Sequence, residues 1–184
     1  AAIQKGKDQI AGHKEGLDSK FGPGTADKKF ATLGFKSDDD FYNNQSKSNA
    51  YDKGLELANS TGGEQGVEDY EDRMASASEN GFANYGGDAA KASTAIANEV
   101  ALDNVSENMA QKYGQEGADY LRQASMKTTK NGEQYVSMSR MNDAGKFLEQ
   151  AKQNLGNDFK PVLQNALANS SNPTEMKQLI EMED

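Results

Sequence analysis

Apolar residues in this chain recur three and four positions apart, and glycine or asparagine closes almost every such run. That spacing commits the chain to helices with narrow apolar stripes, since strands would need strict alternation. From about residue 47, Tyr51, Leu55 and Ala58 mark one helix, stopped near Gly62-Gly63. Val67, Tyr70, Met74 and Ala77 mark the next, ending at Asn80-Gly81. Asp88 caps a long helix through Ala92, Ile96, Val100, Val105, Met109 and Tyr113, with Gly114 after it, and a shorter one follows around Ala118, Leu121 and Ala124. Asn142 opens a helix closed by Gly156, Asp158 opens another with Pro161 in its first turn, and Asn172-Pro173 starts the last. Residues 140–182 hold the densest aliphatic content and are the expected most compact part.

Two segments break the pattern. Lys127–Val136 places Asn131-Gly132 between Thr, Tyr and Val, which predicts a small β-hairpin near 127–137 with a two-residue turn, or else an irregular loop. At the other end, Ile3, Ile10 and Leu17 lie seven apart and Phe21 four further on, a narrow helical seam weakened by Gly6, Gly12 and Gly16 and stopped by Gly22-Pro23-Gly24. Residues 22–50 lack clear periodicity yet hold Phe30, Leu33, Phe35, Phe41 and Tyr42. They are read as a long loop whose aromatics either plug onto the helical body or form a recognition segment. On the second reading Phe30, Phe35, Phe41 and Tyr42 are the partner-binding candidates. The expected class is mainly α: an irregular helical bundle with a basic N-terminal arm over 1–46 and an acidic helical domain over 47–184.

Charge divides the chain in the same sense. Residues 1–36 carry seven Lys against four Asp or Glu, whereas 37–184 carry 13 Lys or Arg against 25 acids. The arm is therefore expected to dock on the body through screened charges. A net charge of -9 disfavours nucleic acid as a ligand. Only 35% of residues are hydrophobic and the mean hydropathy is -0.89, which predicts a thin core. Apolar runs are too short to span a bilayer, so no membrane insertion by this segment is expected. The chain begins Ala1-Ala2 without Met or a charged-then-apolar leader, as expected of a processed product or an excised piece.

The residue inventory limits chemistry. Without cysteine there is no thiol nucleophile, disulfide or thiolate zinc site. His13 is the one histidine, set in a Gly- and Lys-rich helix, and reads as a solvated surface residue. Asp38-Asp39-Asp40 lacks the ligand spacing of a calcium loop. Gly62–Gly66 lacks the lysine and preceding strand of a phosphate loop and reads as a helix-to-helix turn. Glu68, Asp69, Glu71 and Asp72 are placed on the outer face of their helix, with Arg73 pairing Asp69. Catalytic residues, metal ligands and cofactors are accordingly assigned to none. The one enzyme class that composition leaves open is a glycan hydrolase built on an acid in an apolar cleft, for which Glu99 is the candidate.

The polar, glycine-broken stretch Ile3–Lys14 and the Asn-, Gln- and Ala-rich stretch Asn104–Tyr113 resemble, in texture, the C-terminal periplasmic part of TraG-type mating-pair stabilisation proteins of F-like bacterial conjugation systems. The resemblance implies a periplasmic location for a soluble part of a membrane-anchored protein, a role in mating-pair stabilisation and entry exclusion, and another envelope or conjugation protein as partner. It carries no diagnostic motif and assigns no functional residue. The expected function is a non-enzymatic protein-interaction module. The alternatives are a peptidoglycan-cleaving helical hydrolase or a structural component of a phage or secretion assembly.

Overall fold

The structure, a computed structural model, describes residues 2–183, with side chains from residue 6 onward, so the place of Ile3 in the N-terminal seam lies outside the described residues. The chain is mainly α-helical with one short antiparallel hairpin. It forms two compact units, residues 1–101 and 102–184, so the expected boundary at 46/47 falls inside the first unit. No helix among the described residues is long and apolar enough to cross a membrane.

In the first unit, α1 (Ala2–Phe21) ends where the glycines predict, and Gly22 and Gly24 take positive φ in the turn that follows. The expected long loop over 22–50 is instead two short helices and the start of a third, a correction with local causes. Helix α2 (Thr25–Leu33) begins where the Asp18 carboxylate accepts a hydrogen bond from the Ala26 amide at 2.9 Å. Helix α3 (Asp38–Asn43) begins with a capping box: Ser37 Oγ accepts from the Asp40 amide, and Asp40 Oδ2 accepts from the Ser37 amide. Helix α4 (Gln45–Ser78) breaks at Gly63, whose φ of 61° and ψ of -146° are open to glycine. Its two arms fold back on each other: the Tyr70 hydroxyl donates to the Tyr51 carbonyl, and the two rings lie 5.3 Å apart. Helix α5 (Ala89–Ala124) starts at Asp88, whose Oδ1 accepts from the Ala90 and Lys91 amides. Its first part completes the core around Tyr51, Leu55, Met74, Ile96 and Val100. Between α4 and α5, Phe82 takes a left-handed φ of 59°, unusual for a bulky side chain, and its ring is buried.

The second unit begins within α5, which breaks again at Gly114 (φ 77°, ψ 175°). Across that break Arg122 donates to Asp103 at 3.0 Å. Strands β1 (Met126–Thr128) and β2 (Gln134–Val136) pair antiparallel, with Lys127 opposite Tyr135. The turn differs from the two-residue form expected. Thr129 and Glu133 still pair (N to O, 2.8 Å), and Gly132 donates back to Thr129 with φ +86°, giving a three-residue loop with glycine in the left-handed position. Helix α6 (Met138–Leu155) starts four residues before Asn142 because Ser137 Oγ caps it at the Arg140 amide. Helices α7 (Phe159–Asn169) and α8 (Pro173–Met182) follow as the sequence predicts, the latter capped by Asn172. Leu121, Leu148, Leu163, Met176 and Ile180 form the interior.

Candidate functional site

The structure packs three of the four aromatic candidates in or against the interior. Phe35 and Phe41 are buried, and Phe30 is half-buried and packed against the core. Phe30 stacks on Phe41 at 5.6 Å, and Phe35 meets both edge-on at 5.3 and 6.2 Å. Tyr42 alone is exposed, and its hydroxyl donates to the Gly6 carbonyl at 2.6 Å. These residues bind α1 to α2, α3 and α4, so the plug reading replaces the recognition-segment reading. Lys14 and Lys47 cover the rings of Phe30 and Phe35.

Beneath this cluster lies a polar network. Lys29 is fully buried, and its ammonium contacts both Asp52 oxygens, at 2.9 and 3.1 Å, and His13 Nε2 at 2.8 Å. An ammonium only donates, so His13 Nε2 accepts and the imidazole is neutral, with its proton on Nδ1. The ring also lies 4.9 Å from Phe41. His13 is therefore a half-buried linker and not the solvated side chain expected. Burial, then the Lys29 charge, lowers its pKa from the usual value, against an opposing pull from Asp52. Lys29 is lowered as well, chiefly by burial. The arm is thus tied by this buried pair and by the exposed Lys20–Glu56 pair (2.8 Å), together with apolar packing through Ile10 and Leu17.

Glu71 corrects a second expectation. It lies four residues after Val67 and three before Met74, within the apolar stripe, and is buried. Burial raises its pKa, partly offset by Lys28 at 3.9 Å, and its Oε2 has no hydrogen-bond partner. Glu99, the acid singled out in the sequence, sits at an exposed position. The sequence signal that would have found Glu71 is its register with Val67 and Met74. Among the described residues no group of three or more His, Asp or Glu is placed to hold a metal ion.

The second unit offers an open surface that the sequence reading missed. A groove of about 430 Å³ runs between α5 and α6, floored by Val105, Met109, Tyr113 and Met141. Lys112 and Lys146 rim it. It continues past Glu149 to Lys152, whose ammonium caps the Lys112 carbonyl at 2.9 Å and lies over the Tyr113 ring. Residues 102–184 carry nine Lys or Arg against twelve acids, yet this groove presents three lysines and one glutamate. The signal available in the sequence was Val105, Met109 and Tyr113 at helical spacing, which reads equally as core.

Comparison with protein-family models, curated proteins and solved structures finds no match.

Proposed function

We propose that this chain is a protein-binding module without chemistry of its own, and that it docks an acidic amphipathic helix in the groove between α5 and α6. The groove itself carries this reading. Its floor is half-exposed Val105, Met109 and Tyr113 beside the buried Met141, and methionine adapts to varied apolar surfaces. Its rim is cationic within an acidic segment, which would steer and orient an acidic partner. A helix laid into an apolar groove is a recurring mode of peptide recognition. The test is calorimetric titration with a synthetic helix carrying Leu at i, i+3, i+4 and i+7 and Glu elsewhere, beside its Lys-for-Glu counterpart. The acidic peptide should saturate and the basic one should not. Lys112→Glu with Lys146→Glu should weaken binding at least about tenfold while the melting temperature stays put. Equal binding of both peptides would contradict the proposal.

The resemblance in Ile3–Lys14 and Asn104–Tyr113 supports a setting for this module. It would lie in the periplasmic part of a conjugation apparatus, its partner being another envelope or conjugation protein engaged in mating-pair stabilisation and entry exclusion. Loss of mating-pair stability in cells carrying the double lysine variant would support that setting, and unchanged transfer and exclusion would count against it.

Glu71 favours a second reading, the glycan hydrolase, because burial that raises a carboxyl's pKa is what a general acid needs. Release of soluble fragments from peptidoglycan, abolished by Glu71→Gln, would establish it over the binding module.

A further inference from the structure

The chain has three arginines, Arg73, Arg122 and Arg140, and two of them line one cleft of the second unit. The cleft measures about 650 Å³, a volume typical of small-molecule sites. No Asp or Glu is among its lining residues. Arg140 is aimed by its backbone position at the first turn of α6 and by one hydrogen bond from Nη1 to the Met126 carbonyl at 2.9 Å. Arg122 spends one Nη1 hydrogen bond on Asp103 at 3.0 Å, in a pair nearly half open to water. A guanidinium has five N–H donors in a planar fork, so both keep donors for a further partner. Asp103 offsets one of the two charges, and the Met126 carbonyl offsets neither.

The rest of the lining matches an organic anion. Thr128 and Gln134, paired across β1 and β2, supply a hydroxyl and an amide. Leu102, Met126 and Pro173 supply an apolar wall that a hydrated inorganic ion would not use. The start of α8 also borders the cleft, but two of the amides there are already taken: Asn172 Oδ1 accepts from the Glu175 amide, and Glu175 Oε2 accepts from the Ser171 amide and hydroxyl. The arginines therefore carry the site, and the helix terminus does not.

We infer that this cleft binds a small organic anion, its carboxylate or phosphate head held by Arg122 and Arg140 and its apolar body laid against Leu102, Met126 and Pro173. Paired guanidinium forks match either head group. The site is separate from the α5–α6 groove and does not depend on its function.

The test is titration of the whole chain with hexanoate and with phenyl phosphate, each against sodium chloride at equal ionic strength, followed by calorimetry and by amide shifts of Thr128 and Gln134. At least one probe should saturate with a Kd near or below about 1 mM, and the tighter of the two identifies the head group. Arg122→Gln with Arg140→Gln should weaken it about tenfold or more, since charge-assisted hydrogen bonds are lost, whereas Arg73→Gln should leave it unchanged. Both cleft arginines are exposed, so the variants should keep the parent's circular dichroism. Failure of both probes to exceed the chloride control, or equal binding by the double variant, would overturn the inference.

Discussion

Gly54→Ala is the substitution for which the first unit leaves least room. Gly54 sits in the first arm of α4 with helical backbone, so alanine there would ordinarily stabilise by ~1 kcal/mol. A Cβ built on it, however, would run into the Tyr70 ring, meeting Oη and Cζ and lying 2.6 Å from Cε2. The ring would have to retreat by about 1 Å, within a core as tightly packed as an organic crystal. Tyr70 is fully buried and its hydroxyl donates to the Tyr51 carbonyl at 2.9 Å, so retreat also loses that bond. Overpacking costs ~1–3 kcal/mol and a lost buried hydrogen bond ~1–3. Set against the helix gain, the net is a destabilisation of about 3 kcal/mol. In a thermal melt followed by circular dichroism, the first unit should unfold about 10 °C or more below the parent. Tyr70→Phe, which removes the nearest atom, the hydroxyl oxygen, should recover part of this loss in the Gly54→Ala background. Gly12→Ala is the matched control: beyond its own helix backbone nothing lies within 4 Å of its Cβ position, so it should stabilise by ~0.5–1 kcal/mol. A Gly54→Ala protein that melts with or above the parent would refute the packing argument.

Other consequences of the same unit can be measured by urea unfolding. Phe41→Ala should destabilise by ~3 kcal/mol or more, because the ring is buried among Phe30, Phe35 and His13. Asp52→Asn should cost ~2 kcal/mol by leaving the buried Lys29 ammonium uncompensated, a figure below that of a fully buried pair because Asp52 keeps some contact with water. Two pH effects oppose each other. The His13 pKa is lowered in the fold, so its contribution is complete above pH 6.5 and is lost as pH falls from there through the folded value; His13→Gln should flatten stability in that window. The Glu71 pKa is raised, so its burial is least costly below pH 4.5 and the cost grows as pH rises through the folded value. Glu71→Gln should therefore be the more stable protein at neutral pH, by about 1 kcal/mol.

Helix punctuation was legible in the sequence because it is local. Gly63 and Gly114 break α4 and α5 where their positions foretell, and Asp88 and Asn172 cap the helices that follow. The segment 22–50 was not legible, because its helices depend on partners distant in sequence. Lys29 lies on the buried face of α2, a place only the earlier His13 and the later Asp52 make tenable. Asp40 was lost in an acidic run, although its spacing from Ser37 is that of a capping box. Glu71 was assigned outward by its charge when its register with Val67 and Met74 pointed inward. The groove between α5 and α6 could not be read at all, since Val105, Met109 and Tyr113 have the spacing of core residues and only the fold shows which of them a neighbour leaves open.

Methionine methyl resonances would test the binding groove most directly. Met109 lies half-exposed in it and Met141 forms its buried floor, Met74 and Met176 are fully buried in the two interiors away from it, and Met182 at 79% exposure reports indiscriminate contact. On addition of the acidic amphipathic helix, the methyls of Met109 and Met141 should shift along a saturating curve while those of Met74, Met176 and Met182 stay in place. Shifts confined to Met182, or none at Met109 and Met141, would contradict the account.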